Sequence, residues 1–222
     1  MKDNRSAYNS NIYDENIVNT LPYYREFHGQ IIDLVNKLGY KDVDWLDTGC
    51  GTGTLAGMVF DIRDDVKFTL CDPSQSMLEQ AKEKLSGKDI RFINASSQQL
   101  EFKDEFDVVT AVQSHHYLKS DERRIAVKNC YNALRENGVF ITFENIRMST
   151  DESDAIALSR WTGFMTDHGK TDEDVKNQLE RRGVEVLPIT IEEHIKLLRE
   201  CGFKSVDLLW TSYLQAGLWA VK

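Results

Sequence analysis

Residues 45–57 read WLDTGCGTGTLAG and place three glycines, Gly49, Gly51 and Gly53, at alternate positions. They follow directly on an apolar run and Asp47, as in a loop between a strand and a helix of an α/β fold. Because glycine lacks a Cβ, such a loop lets a ligand approach the backbone closely. A phosphate-binding P-loop is excluded, since it needs GxxxxGK and this loop has no lysine. The dinucleotide pattern GxGxxG is not met either, because the third glycine comes one position early.

Around this loop, apolar strand-like runs alternate with amphipathic helical segments. The pattern predicts strands at residues 43–47, 67–71, 90–93, 106–112 and 139–143, and helices at 54–62, 74–85 and 121–136. Ser76 and Glu79 have capping-box spacing in the second helix, and Gly138 is predicted to end the third. The alternation predicts a parallel sheet with helices on both faces, which binds ligands at the carboxyl ends of its strands.

The alternation stops after the fifth predicted strand. Residues 151–188 hold two charged helical segments, which we interpret as a helical lid inserted after that strand. Strand-like runs at 205–210 and 213–221 predict an antiparallel hairpin at one edge of the sheet. We therefore expect a single domain over residues 1–222, with residues 1–40 as an N-terminal helical cover.

Composition narrows the class of protein. The chain has 222 residues and a net charge of −9, which argues against an extended nucleic-acid footprint. No apolar run approaches the roughly 18 residues of a membrane span, and the polar N-terminal stretch is unlike a secretory signal, so a cytoplasmic protein is expected. The four cysteines form no CxxC pair, and no Cys/His cluster has zinc spacing, which predicts buried, reduced thiols and no metal site.

The second predicted strand ends in Cys71, Asp72 and Pro73. A carboxylate offers two adjacent acceptor oxygens, which suit the two hydroxyls of a ribose. The glycine loop together with Asp72 therefore predicts a nucleoside bound across the first two strands, without choosing the cofactor.

These motifs, in this order, resemble the class I S-adenosylmethionine-dependent methyltransferases over nearly the whole chain. Residues 47–53 are similar to the first motif of the family, and Asp72, Pro73 and Met77 fall in its second motif. Ser96 stands where the family usually has an Asp that contacts adenine. The resemblance implies a Rossmann-like sheet of seven strands, mostly parallel with an antiparallel C-terminal strand. It also implies S-adenosylmethionine as cofactor and a small molecule as methyl acceptor.

From the motifs and the resemblance we take a set of candidate site residues. Those expected to bind the cofactor are Tyr13, Asp47, Gly49, Cys50, Gly51, Gly53, Asp72, Pro73, Met77, Ala95, Ser96 and Gln113. His115 and His116 follow the fourth strand, where either could take a proton from an acceptor near neutral pH or could simply be packed. Methyl transfer from a sulfonium is an in-line displacement that needs alignment more than a metal.

Other functions stay open on the sequence alone. A weaker resemblance to the transfer RNA wobble-uridine carboxymethyl transferases implies an RNA substrate and a cofactor with a carboxyl on its methyl group. An arginine would have to pair with that carboxyl, and Arg147 and Arg199 are candidates. A non-catalytic S-adenosylmethionine-binding protein and a nicotinamide oxidoreductase are the remaining alternatives. We expect a monomer or homodimer without a membrane partner, and nucleic acid only in the transfer RNA alternative.

Overall fold

The computed structural model describes residues 3–222. Within these residues seven strands form one sheet: β1 (Val43–Thr48), β2 (Val66–Cys71), β3 (Ile90–Ile93), β4 (Phe106–Val112), β5 (Leu134–Asn145), β6 (Ser205–Ser212) and β7 (Gln215–Val221). The α-helices described are α1 (Tyr13–Ile17), α2 (Tyr24–Leu38), α3 (Thr54–Phe60), α4 (Gln75–Lys84), α5 (Ser120–Ala133), α6 (Asp151–Asp167), α7 (Asp172–Arg181) and α8 (Ile191–Glu200).

The strand order is β3-β2-β1-β4-β5-β7-β6. Strands β1 to β5 are parallel, and β7 runs antiparallel to both of its neighbours. The predicted seven-stranded, mostly parallel sheet with an edge hairpin is therefore confirmed. The chain order reverses between β1 and β4, and in such sheets a crevice opens beyond the carboxyl ends of the strands at this point.

Alternate residues of the central strands belong to two separate apolar cores. Trp45 of β1 and Val108 of β4 pack in the core that includes residues of α2, α3 and α4. Leu46 and Val109 pack in the other, with residues of α5 and α8. Because side chains alternate across a strand, the sheet is buried on both faces, as a parallel sheet requires.

Several element boundaries differ from the sequence prediction, the largest difference being β5, which spans Leu134–Asn145 rather than 139–143. The helix predicted at 121–136 ends at Ala133, because the fully buried Leu134 already pairs with Phe106 of β4. Gly138 therefore lies inside β5 rather than at a helix end. The predicted capping box at Ser76 is also wrong, since the N-cap of α4 is Ser74, whose Oγ accepts from the Met77 amide at 3.1 Å.

The segment after β5 forms the two helices α6 and α7, in the region predicted as an inserted lid. Residues of α6, among them Trp161 and Met165, pack with Leu214 in a third, smaller apolar cluster. The Trp161 indole donates to the carbonyl of Thr20 at 2.7 Å. This contact joins α6 to the N-terminal segment.

Two further findings concern the cysteines and possible membrane-spanning helices. All four cysteines are buried and free, as predicted. Within residues 3–222, no helix combines the length and apolar character that a membrane crossing needs.

Candidate functional site

A cavity, here called the main cavity, lies at the carboxyl ends of β1, β2 and β4. Its wall is formed by Asp3, Asn4, Arg5, Ser6, Tyr13, Tyr24, His28, Asp47, Gly49, Cys50, Gly51, Thr52, Thr54, Leu55, Asp72, Pro73, Ser74, Met77, Ser96, Ser97, Val112, Gln113, Ser114, His115, Tyr117 and Leu118. The sheet thus brings together the predicted cofactor-binding residues apart from Gly53 and Ala95. His115 lines the main cavity and His116 does not.

The three glycines of the loop have different local environments. A Cβ on Gly49 would lie 2.4 Å from the Ser114 Cβ, and the φ of Gly49 is +71°, so the close passage of two loops requires glycine there. A Cβ on Gly51 would meet nothing within 4 Å. A Cβ on Gly53 would lie 2.9 Å from a methyl of Leu85. Gly53 therefore lets the start of α3 approach Leu85, and it lies outside the cavity wall.

Asp72 lies at the end of β2 and fixes the glycine loop. One carboxylate oxygen accepts from the Ser74 amide at 2.8 Å and the other from the Gly51 amide at 2.9 Å. Burial raises the pKa of Asp72 to about 6, against the two backbone hydrogen bonds that lower it. Each oxygen keeps a second acceptor position, which is what a pair of ribose hydroxyls needs.

Asp47 lies at the end of β1 and is almost completely buried. Its Oδ1 accepts from the Thr110 hydroxyl at 2.7 Å. Burial raises the pKa of Asp47 to about 7, and the nearby charge of Asp72 acts in the same direction. The carboxyl is therefore poised to ionise when a cation arrives beside it.

The residues after β3 separate into two groups. Ser96 lines the main cavity and donates to Gln99 at 3.1 Å, whereas Ala95 packs in the core shared with α5 and α8. Ser97, which the sequence analysis missed, bridges the Thr48 hydroxyl at 2.6 Å and the His115 Nε2 at 3.0 Å. No sequence signal separates these adjacent serines, because their roles depend on contacts with β1 and the loop after β4.

Gln113 follows β4 and has a left-handed backbone with φ +52°. Its amide donates to the carbonyl of Phe143 at 2.7 Å, and its side chain donates to Gln215 Oε1 at 2.6 Å. Gln215 is buried in β7, far away in sequence, and was not among the predicted residues. This pair fixes Gln113 at the edge of the main cavity.

A second cavity, here called the adjoining cavity, shares part of its wall with the main cavity. The shared residues are Ser6, Tyr13, Gln113 and Tyr117. The rest of its wall consists of Ala7, Tyr8, Ile17, Thr20, Leu21, His116, Asn145, Trp161, Gln178, Arg181, Arg182 and Val186. The N-terminal segment, the end of β5 and helices α6 and α7 therefore form it together.

The buried carboxylate of Glu144, in β5, organises the turn that holds the two histidines. Its Oε1 accepts from the His115 amide at 3.1 Å and its Oε2 from the His116 amide at 3.0 Å. The His116 Nδ1 lies 2.7 Å from the same Oε2. Burial opposes ionisation of Glu144, but its hydrogen bond with His116 keeps its pKa below the ordinary value. Sequence reasoning missed Glu144, although an acid ending the apolar run VFITF was a usable signal.

The two histidines differ in environment. His115 has its Nε2 bonded to Ser97, and burial lowers its pKa to about 4, so the ring is neutral near pH 7. His116 has its Nδ1 on Glu144, and its Nε2 bonds to no residue within the described part of the chain. His116 belongs to the wall of the adjoining cavity.

The arginines near the site are not the two candidates from the sequence. Arg147 pairs with Glu193 at 3.1 Å, Arg199 is exposed, and neither lines the main or the adjoining cavity. Arg181 and Arg182 line the adjoining cavity instead. Arg182 donates to the Asn145 side chain at 2.7 Å and pairs with Asp154 at 3.0 Å.

The N-terminal segment Asp3–Ser6, here called the strap, crosses the wall of the main cavity. The Asp3 carboxylate accepts from the Ser74 hydroxyl at 2.8 Å and from the Ser76 amide at 3.1 Å. Arg5 donates to the carbonyl of Tyr117 at 2.7 Å. The strap therefore spans from the start of α4 to the turn after β4.

No candidate metal site is found in the described part of the chain. Among residues 3–222, no group of three or more His, Cys, Asp or Glu side chains is arranged to hold a metal ion.

Comparison with known proteins agrees with this geometry. Residues 46–138 match the family described as "Methyltransferase domain". The carboxy-S-adenosyl-L-methionine synthase of Staphylococcus epidermidis is 25% identical, with 98% of this chain and 96% of that protein aligned.

Two solved structures share the fold. A possible histamine N-methyltransferase from Thermotoga maritima superposes with a TM-score of 0.61 at 17% identity, over 96% of this chain and 95% of that one. A putative O-methyltransferase from Nostoc punctiforme gives 0.62 at 20% identity, over 86% and 55%. The domain match over residues 46–138 and the shared fold therefore identify the chain as an enzyme related to the class I S-adenosylmethionine-dependent methyltransferases, with S-adenosylmethionine as its cofactor.

Proposed function

We propose that the enzyme transfers the methyl group of S-adenosylmethionine to a small molecule bound in the adjoining cavity. The observation that carries this proposal is the common wall of the two cavities, which share Tyr13, Gln113 and Tyr117. A cofactor in the main cavity and an acceptor in the adjoining cavity would then lie next to each other. Close, aligned approach is the main requirement of an in-line displacement.

The residues of the main cavity suit the parts of the cofactor. Asp72 would accept the ribose hydroxyls, and Met77 would lie against the adenine. Asp47 would pair with the amino group of the methionine moiety, since a cation stabilises its ionised form. Gly51 leaves open space at the loop, and Tyr13 offers an aromatic face to the sulfonium. When bound, the cofactor supplies an already activated methyl group.

The enclosure of the adjoining cavity supports a small acceptor. Its wall includes the buried Trp161 and residues of the N-terminal segment and α7, which surround it from several sides. Pockets of this kind, with apolar walls and a few polar groups, are typical of small-molecule sites.

Calorimetric titration with S-adenosylmethionine, S-adenosylhomocysteine and NAD tests the first part of the proposal. We expect micromolar binding of the first two, no binding of NAD, and loss of binding in Asp72→Ala. A panel of phenols, amines, thiols and carboxylic acids is then screened for S-adenosylhomocysteine release. Release with none of them, but with bulk transfer RNA, would replace the small acceptor by RNA.

A second candidate function is synthesis of a carboxylated cofactor. Relatives at 25% identity are named carboxy-S-adenosyl-L-methionine synthases, and Arg181 and Arg182 line the cavity beside the cofactor cavity. A guanidinium pairs well with a carboxylate. Mass spectrometry of S-adenosylmethionine incubated with enzyme and a panel of carboxylic acids separates the two functions. A cofactor heavier by the mass of CO₂ supports the synthase, and S-adenosylhomocysteine with a methylated acid supports methyl transfer.

A further inference from the structure

Resting on the proposed function, we propose that His116 is the general base of the transfer and that the acceptor carries its nucleophile as an O–H or N–H group. Glu144 is then the positioning residue that orients the His116 ring. His116 Nδ1 lies 2.7 Å from Glu144 Oε2, and both side chains are buried.

Glu144 fixes the tautomer of His116. Its Oε2 also accepts from the His116 amide, and its Oε1 accepts from the Thr142 hydroxyl at 3.0 Å. The Asn145 amide also lies 3.3 Å from Nδ1, but the contact of Nδ1 with Glu144 is much shorter, at 2.7 Å. An ionised carboxylate that already accepts other bonds requires a proton on the ring nitrogen that faces it so closely. Nδ1 therefore carries the hydrogen, and Nε2 keeps its lone pair. A carboxylate behind an imidazole in this way both orients the ring and stabilises the imidazolium.

The free nitrogen belongs to the side chain that lines the acceptor cavity. His116 is part of the adjoining cavity wall, and its Nε2 has no hydrogen-bond partner among the described residues. His115 is unsuited to the same task, because its Nε2 is bonded to Ser97 and burial lowers its pKa to about 4. Of the two adjacent histidines, the structure assigns the base to His116.

Other charged groups surround the pair without replacing Glu144. Arg123 of α5 donates to the carbonyl of His115, whereas burial lowers the pKa of the nearby His194 of α8 to about 4, so that its ring is neutral near pH 7. Arg181 and Arg182 line the same cavity as His116, and each is already paired with an acid, Arg181 with Glu185 and Arg182 with Asp154. The buried carboxylate of Glu144 offsets these positive charges beside the ring.

The step balances without any further reactant. The acceptor heteroatom forms a bond to the methyl carbon while the carbon–sulfur bond breaks, and the electron pair of that bond stays on sulfur as a neutral thioether. The proton of the acceptor goes to His116 Nε2. The products are the methylated acceptor, S-adenosylhomocysteine and an imidazolium paired with Glu144, which later releases the proton to water.

The tautomer of His116 is the direct test, and it needs no acceptor. Long-range ¹H–¹⁵N correlation spectra of ¹⁵N-histidine-labelled protein with S-adenosylhomocysteine give the protonation of each ring nitrogen. His116→Gln assigns the signals. We expect Nδ1 protonated and Nε2 bare in the wild type, and a proton on Nε2 in Glu144→Gln. A protonated Nε2 in the wild type would overturn the proposal, even if Glu144→Gln fails to fold.

Turnover gives the second test. With the acceptor found by screening, His116→Gln should lose about 10²–10⁴-fold in kcat and retain cofactor affinity. The matched control is the exposed His168, which directly follows α6 and whose His168→Gln variant should keep wild-type rates. Thiols that are fully ionised at the assay pH need no base, so His116→Gln should methylate them at the wild-type rate.

The outcomes separate this inference from the function on which it rests. Equal losses with ionised and protonated acceptors would show a structural role for His116 and overturn the base. If the wild type releases no S-adenosylhomocysteine with any acceptor, the proposed function fails, and the tautomer still decides for or against His116 as a base.

Discussion

At the scale of the residue, the site depends on carboxyl groups that are buried for different purposes. Glu144 is buried among hydrogen-bond donors, whereas Asp47 has one described donor, the Thr110 hydroxyl. Burial raises the pKa of Asp47 to about 7. Burying such a carboxylate lowers the stability of the ligand-free protein, and a cation that binds beside it stabilises the ionised form.

Asp47→Asn should therefore stabilise the free enzyme at alkaline pH. A carboxyl with a folded pKa near 7 and an unfolded pKa of 3.8 binds more protons when folded, so wild-type stability falls as pH rises between these values. The variant removes that loss, and its free energy of unfolding at pH 8 should exceed that of the wild type by about 1–3 kcal/mol. Urea unfolding at pH 5 and pH 8 measures this difference.

The same substitution should weaken cofactor binding by about tenfold or more, because the charged partner of the amino group is lost. Wild-type affinity should rise from pH 6 to pH 8 as Asp47 ionises. The control is Asp33→Asn on the exposed side of α2. Equal stability of Asp47→Asn and the wild type at pH 8 would contradict the burial argument.

At the scale of the element, the glycines of the loop after β1 have two different roles. Gly49 allows close packing against Ser114, whereas Gly51 leaves open space for a ligand. Gly49→Ala should cost about 2–4 kcal/mol, since its Cβ would lie 2.4 Å from Ser114 in a left-handed backbone. Gly51→Ala has the same backbone strain with open space, and should cost about 1–2 kcal/mol. Thermal melts rank the two variants. A larger loss for Gly51→Ala would contradict the close contact of the loops.

The turn after β4 depends in the same way on one arginine of α5. Arg123 is buried and donates to the carbonyls of His115, Leu118 and Leu187. Arg123→Lys cannot reach all three carbonyls and should lower the free energy of unfolding by about 2–4 kcal/mol. The adjacent Arg124 is exposed, and Arg124→Lys should cost about 0.5 kcal/mol at most. Chemical unfolding of this pair of variants tests the difference.

Residues at strand ends can be predicted from local sequence, whereas residues that act through distant partners cannot. The sequence predicts that the glycine loop, Asp72 and Gln113 lie at the same edge of the sheet, because each follows directly on a strand end. Glu144, Gln215 and Ser97 act through partners that are distant along the chain. The cap of α4 lies two residues before the predicted one, at Ser74, and the Ser76 hydroxyl bonds instead to Asp3, a contact that helical spacing does not contain.

At the scale of the whole molecule, the main cavity joins segments that are distant in sequence. Its wall includes the strap, α1, the loops after β1, β2 and β4, and residues beside β3. A ligand that contacts all of them should stabilise the folded chain as a unit.

S-adenosylmethionine at 100 times its dissociation constant should stabilise the fold by about 2.7 kcal/mol. A thermal melt measures this as a rise in Tm that grows with ligand concentration. Asp72→Ala at the same concentration should show no rise. A wild-type Tm that does not change with the ligand would contradict binding in the main cavity.

The strap has a kinetic consequence. Because it is anchored on Ser74 at one side and on Tyr117 at the other, a nucleoside beneath it leaves only as fast as these anchors open. Residence time would then be set by a gating rate and not by affinity alone, and successive turnovers would wait on product departure. Stopped-flow displacement of S-adenosylhomocysteine should be faster in Arg5→Ala than in the wild type. A slow gate of this kind also gives the catalytic step ample time, since each cofactor molecule stays for many attempts at reaction.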